Sequence, residues 1–156
     1  MSNLKFSILA TQKKARAGEI STHHGIIKTP VFMPVGTIGS VKAIFPHELK
    51  NLDIDIILAN TYHLMQRPGD KLIKEMGGLQ TFINWKKPII TDSGGFQVWS
   101  LSKLKKISKD GINFKSHIDG SQIFLSPEKA IDIQYNLNSN ISMVLDECTE
   151  FPVSFN

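Results

Sequence analysis

Pro88-Ile89-Ile90-Thr91-Asp92-Ser93-Gly94-Gly95-Phe96-Gln97 sets an apolar run directly against a carboxylate, a hydroxyl, two glycines and an aromatic ring. A short apolar run of this kind reads as a buried strand. A strand ending in such a cluster presents it at one rim of a sheet, where residues without side chains let a ligand approach the backbone closely. Asp92, Ser93, Gly94, Gly95 and Phe96 are therefore the first candidate site residues. The same pattern returns where Ile141-Ser142-Met143-Val144-Leu145 runs into Asp146-Glu147-Cys148-Thr149. Two strands, each ended by an aspartate, point to one shared pocket.

On both sides of this stretch, strand and helix signals alternate. Thr29 to Val35 reads as extended, with Pro30 and Pro34 restricting where it can pair. Pro46 to Leu52 reads as a short helix, and Ile54 to Ala59 as a buried strand ending at Asn60-Thr61-Tyr62-His63. From Pro68 to Met76, Leu72, Ile73 and Met76 share one helical face, and Gly77-Gly78 stops the helix. Asp110-Gly111 and Asp119-Gly120 mark tight turns of a small antiparallel insertion around Ile112 to Ile118 and Gln122 to Leu125. Ser126-Pro127-Glu128 has the order of N-cap, first-turn proline and acidic first turn, and opens a helix to about Leu137.

Strand candidates at Val31, Ile54, Ile89 and Ile141, with helices between them and polar residues at their carboxyl ends, are the expected pattern of a parallel α/β sheet. A barrel of that type takes about 250 residues and eight strands. At 156 residues, the chain is expected to be one unit, residues 1–156, forming the N-terminal half of an irregular (β/α)8 TIM barrel with small antiparallel β insertions. An open doubly wound sheet is the structural alternative. On the half-barrel reading, the chain alone is expected to be inactive and to fold poorly or associate.

Composition sets the outer limits. Apolar residues make up 41% of the chain, enough for one ordinary core. No run approaches the roughly 18 apolar residues of a membrane span, and the start Met1-Ser2-Asn3-Leu4-Lys5-Phe6 lacks a signal-peptide core. A cytoplasmic location without membrane association is expected. Cys148 is the single cysteine, so no internal disulfide forms, and no Cys/His grouping has zinc-site spacing. The net charge is +4, and all of the 18 basic residues except Arg16 and Arg67 are lysines. That excess fits a solvated surface better than a nucleic-acid groove. The densest group, Lys103, Lys105, Lys106 and Lys109, nevertheless follows the candidate site and could touch a phosphate backbone.

The chain resembles the tRNA-guanine transglycosylases, also called queuine tRNA-ribosyltransferases. The resemblance rests on Thr29-Pro-Val-Phe-Met-Pro-Val-Gly-Thr37, Asn60-Thr-Tyr-His-Leu64, Arg67-Pro-Gly69, Thr91-Asp-Ser-Gly-Gly-Phe-Gln97, Ser116-His-Ile-Asp-Gly120 and Asp146-Glu-Cys-Thr149, in that order. It implies exchange of the wobble guanine of tRNA anticodons for a 7-deazaguanine, the pre-queuosine base, in queuosine biosynthesis. It also implies a zinc-binding subdomain whose ligands, like the attacking aspartate, are absent from this chain. Implied partners are the tRNA anticodon loop, guanine or a 7-deazaguanine, and a second copy in a homodimer.

Breaking an N-glycosidic bond develops positive charge on the ribose, which a carboxylate can capture as a covalent glycosyl-enzyme before the incoming base displaces it. By the resemblance, Asp92 is the proton acceptor, suited to a reaction in which leaving and entering bases trade a proton. Asp146 is the expected base reader, because a carboxylate accepts from both the ring N–H and the exocyclic amine of guanine. Phe96 matches the aromatic on which the family stacks the base, worth about 1–3 kcal/mol. Ser93 and the amides of Gly94 and Gly95 complete the rim, and the target nucleotide must leave its stack to reach it. Asn60 and Cys148 support the site, and His63 is read as a core residue.

Competing structural readings accompany these roles. Asp92 could cap the helix that follows it. Asp146 could pair with a buried lysine. Cys148 could be a small buried hydrophobe. A barrel enzyme acting on a free nucleoside, as a glycosyl hydrolase or transferase, and a non-catalytic tRNA-binding remnant are the two alternative functions.

Overall fold

The computed structural model describes residues 4–101, 105–148, 152 and 154. Lys103 and Thr149, named above, lie outside them.

The chain opens with an antiparallel sheet of β1 (Lys5–Gln12), β2 (Ala15–Thr22) and β3 (Gly25–Thr29), which the sequence reading did not anticipate. Its strands are largely exposed, with Gly18 and Ile27 as their buried positions. Gly18 must be a glycine, because a Cβ there would lie 2.6 Å from the Ser7 carbonyl oxygen across the β1–β2 ladder.

A parallel sheet carries the candidate site. It is formed by β4 (Val35–Gly36), β5 (Ile57–Ala59), β6 (Ile89–Thr91) and β10 (Ile141–Ser142), neighbouring one another in chain order. Between β4 and β5 lies α1 (Pro46–Asn51), and between β5 and β6 lie α2 (Thr61–Gln66), α3 (Asp70–Glu75) and α4 (Leu79–Phe82). β6 leads into α5 (Gly95–Leu101), and then to an antiparallel insertion of β7 (Lys105–Ser108), β8 (Gly111–Lys115) and β9 (Gln122–Leu125). α6 (Pro127–Asn136) returns the chain to β10. This is an α/β fold.

The start of α6 follows the local chemistry expected of it. Ser126 Oγ accepts from Lys129 N at 3.2 Å and donates to Glu128 Oε2 at 2.7 Å. Three expected strands of the parallel sheet are shorter than the sequence suggests. Ile54 to Ala59 pairs only from Ile57, since Ile54 N donates back to Leu49 O at 3.2 Å. Val31 is not in a strand, because Pro30 and Pro34 offer no N–H to a ladder, and pairing begins only at Val35. The run from Ile141 pairs only through Ser142, since Met143 N donates instead to Gln134 Oε1 at 2.8 Å and Gln134 Nε2 donates to Met143 O at 2.8 Å. The insertion gains a third strand, β7, over a lysine pair that carried no clear strand signal.

The core gathers Ile57, Ile89, Tyr62, Ile73, Leu79 and Ile133 from sheet and helices, together with Phe114 and Leu125 from the insertion. The β1–β3 sheet closes the amino end of the parallel strands. Lys28 N donates to Asp55 Oδ2 at 3.4 Å, and Asn140 Nδ2 lies 2.8 Å from His24 Nδ1. Asn140 Oδ1 accepts from Ile89 N at 3.0 Å, tying that end of β6 to the approach to β10. The opposite, carboxyl end of the strands remains for the polar clusters. Among the described residues, no helix is long and apolar enough to cross a membrane.

Candidate functional site

Asp92 follows β6 by one residue, and its backbone is held by the neighbouring strand end. Asp92 N donates to Ala59 O at 3.2 Å, and Thr61 Oγ1 donates to Asp92 O at 2.5 Å. Its carboxylate faces the start of α2. Thr61 N donates to Oδ1 at 2.8 Å, and Asn60 Nδ2 donates to Oδ2. Asp92 thus caps the helix after β5 rather than the one after its own strand.

Burial holds Asp92 above the usual carboxylate range, and hydrogen bonds from Asn60, Thr61 and Gln97 pull it partly back. The Asp146 charge adds to the upward push. A carboxylate so placed is a better proton acceptor than one in water, while its donors keep it oriented. Gln97, Thr61 and Asn60 therefore act on Asp92 from two elements. Thr61 and Gln97 were not assigned roles from sequence. The available signal was position: Thr61 opens the helix after a strand end, and Gln97 lies on the first turn of α5 beside Phe96.

Ser93 is buried and bridges the two strand ends. Its Oγ donates to Asp146 Oδ1, while Asp146 N donates back to Ser93 Oγ at 3.3 Å. Asp146 lies in the segment after β10 and is itself exposed. Among the described residues its partners are Ser93 and Cys148 rather than a lysine, with Cys148 Sγ donating to Oδ2 at 3.8 Å. Desolvation pushes the Cys148 thiol up, and the Asp146 charge adds to that shift. A thiol held protonated is a weak nucleophile.

The two glycines admit protein rather than only ligand. A Cβ on Gly95 would meet the Asp146 carbonyl oxygen and, at 2.6 Å, its Oδ1. Gly94 adopts φ +85°, and a Cβ there would lie 3.3 Å from Tyr62 N. Phe96, the next residue, is 54% exposed on α5, with its ring centroid 6.2 Å from that of Trp99. An exposed aromatic face next to two carboxylates can stack a flat heterocycle while the carboxylates accept from its N–H groups.

A third layer lies behind Asp92. Tyr62 OH is 3.0 Å from His117 Nδ1, and the two rings stack at 5.4 Å. His63 meets His117 edge to face at 5.9 Å. Burial lowers the His63 pKa, the nearby His117 lowers it further, and Asp92 opposes both. His63 is only half buried, so it belongs to this rim network as much as to the core. Among the described residues, no group of three or more His, Cys, Asp or Glu side chains is placed to hold a metal ion.

The family model described as queuine tRNA-ribosyltransferase matches residues 11–156. Among similar proteins named queuine tRNA-ribosyltransferase, that of Lawsonia intracellularis is 61% identical over 143 residues, covering 92% of this chain and 38% of the relative. That of Natranaerobius thermophilus is 56% identical, covering 94% and 40%, and that of Rickettsia akari is 55% identical, covering 99% and 43%. The chain thus spans about two-fifths of the length of these relatives. With the match running from residue 11 to residue 156 and identity above one half to each of these proteins, the chain belongs to the queuine tRNA-ribosyltransferase family.

Proposed function

We propose that this chain carries the proton-accepting and base-reading side of a cytoplasmic tRNA-guanine transglycosylase, a pentosyltransferase of queuosine biosynthesis that exchanges the wobble guanine for a 7-deazaguanine. The observation that carries this reading is the joining of Asp92 and Asp146 at adjacent parallel strand ends through Ser93. Asp146, fixed by Ser93, accepts from the ring N–H and amine of guanine. Phe96 stacks the base, and the amides at Gly94 and Gly95 line its edge. Asp92 takes the proton that the entering base sheds as its ring nitrogen bonds to the ribose. The attacking carboxylate and the zinc implied by the family are assigned to no residue here.

We propose in the same way that the parallel sheet is half of a (β/α)8 barrel. Its support is the order β4-β5-β6-β10, which extends the sheet in one direction. A doubly wound sheet would reverse direction at a switch point, whereas a barrel keeps adding strands to the same edge. A homodimer, with the tRNA anticodon loop as substrate, completes the proposal.

The experiment is incorporation of radiolabelled guanine into unmodified tRNA by a chimera joining this chain to the remaining portion of the Lawsonia relative. Asp92→Asn is expected to abolish exchange with tRNA binding retained. Undiminished incorporation by that variant removes Asp92 from the mechanism.

A further inference from the structure

The β7–β8–β9 sheet turns one face to the core and the other to solvent. Register puts Ile107, Ile112 and Leu125 in one row, and Ile112 and Leu125 are buried. The alternate row therefore faces outward. It runs Lys106–Asn113–Phe124, with Lys115–Gln122 two positions along. Phe124 is 45% exposed. The three strands read KKIS, GINFK and QIFL, with no carboxylate, and two of their three lysines, Lys106 and Lys115, lie in this outward row. Asp119 sits in the β8–β9 turn, off the face, with its carboxylate engaged by Ser121 N at 3.0 Å and Ser121 Oγ at 2.8 Å. Lys105, Lys106, Asn113, Lys115 and Gln122 line an open depression of about 460 Å³.

The sheet that carries this face borders the candidate site through its other row, in which Lys105 pairs with the buried Phe114. Lys105 Nζ donates to Trp99 O at 2.5 Å and lies 5.3 Å from the Trp99 ring centroid. Trp99 lies on α5 beside Phe96. On the other flank, Asp146 and Glu147 share a small cavity of about 120 Å³ with Ile107 and Ser108 of β7. The lysine-bearing sheet therefore begins where the exposed aromatic of the site ends.

We propose that the outer face of the β7–β8–β9 sheet is an RNA-backbone platform, with Lys106 and Lys115 holding phosphates and Phe124 offering a stacking surface. Diagonal cross-strand neighbours are about 7–8 Å apart, which suits successive phosphates of one strand. Lysines positioned this way add affinity without reading sequence, and the amides of Asn113 and Gln122 can reach sugar hydroxyls. The platform rests on the transglycosylase reading for its choice of RNA as the occupant, while its chemistry is independent of the guanine site.

The experiment is fluorescence anisotropy of the purified chain with a labelled anticodon stem–loop, across a KCl series, using one stem–loop with guanine at the wobble position and one with adenine. The pair K106Q/K115Q is expected to weaken binding of both by about tenfold near 0.1 M salt and to flatten the log Kd against log[salt] slope by about 1.5. K106E/K115E is expected to weaken it further. Phe124→Ala is expected to cost about fivefold or more. Lys28→Gln, on β3 at the opposite end of the strands, is expected to change neither quantity. Unchanged affinity and slope in both double variants, with the parent far-UV spectrum retained, overturns the platform. So does a parent that binds neither stem–loop, or one that prefers phosphatidylserine vesicles. A parent that holds the guanine and adenine loops equally, with the double-variant loss intact, keeps the platform and discards the guanine-site reading.

Discussion

The Ser93 hydroxyl donates to the carboxylate of Asp146, 53 positions later in the chain. Through this one contact the ends of β6 and β10 become a single site. Ser93→Ala should therefore loosen Asp146 rather than the fold. A hydrogen bond to a charged acceptor is worth about 1.5–3 kcal/mol and less at an acceptor as exposed as Asp146, so the melt should move little while guanine affinity falls by up to about tenfold. Calorimetric titration with guanine checks this, and an unchanged Kd separates Ser93 from recognition.

Asp146→Asn replaces two acceptors with one acceptor and one donor, a mismatch to the paired donors of guanine. Guanine binding should weaken more than for Ser93→Ala, with no gain for adenine. Equal guanine affinity in the two variants and the parent discards Asp146 as the reader.

Gly95→Ala drives a methyl group into the backbone and carboxylate of Asp146. Overpacking of this kind costs about 1–3 kcal/mol. A lowered denaturant midpoint together with lost guanine binding is expected. An alanine variant with parental stability means that the segment after β10 yields freely.

Burial raises the Asp92 pKa. The folded chain therefore holds that proton more tightly than the unfolded chain. The Asp92 contribution to stability falls as pH rises from the ordinary aspartate range through the raised midpoint. A carboxyl-carbon NMR titration should place Asp92 above the ordinary range, and Asn60→Ala, which removes a donor to the ionised form, should move it higher. A midpoint that falls in Asn60→Ala contradicts the assigned hydrogen bond.

The parallel sheet ends, among the described residues, in β4 and β10, each paired on one side only. Phe32 is 76% exposed just before β4, and Val144 is 77% exposed just after β10. Open edges beside apolar side chains invite pairing with another chain. Light scattering behind gel filtration should show mass rising with concentration, and a concentration-independent monomer rules this out.

What the sequence made legible was local. The strands before Asp92 and Asn60 are readable because compact apolar runs stop at polar residues, although the second, expected from Ile54, pairs only from Ile57, and Ser126 announces α6 through its own hydroxyl. The joining of Asp92 to Asn60 and Thr61 was not readable, since it depends on which strands become neighbours. β1 and β2 escaped notice because Lys5–Gln12 is exposed along nearly its whole length and shows no buried face. They turn at Lys13 with φ 55°, a conformation that no glycine advertised. The glycines at 94 and 95 stand out in the sequence, but that Tyr62 and Asp146 are the protein groups that approach them depends on the tertiary fold.

The order β4, β5, β6, β10 also bears on how the chain is made. Each strand pairs with one that has already left the ribosome, and none must wait for a partner still to be synthesised. Synthesis runs at about 5–20 residues per second, slow against hairpin formation and loop closure in microseconds or less. The sheet can therefore be laid down strand by strand during translation. The long closures that slow parallel sheets in refolding from denaturant would then be spread over the time of elongation.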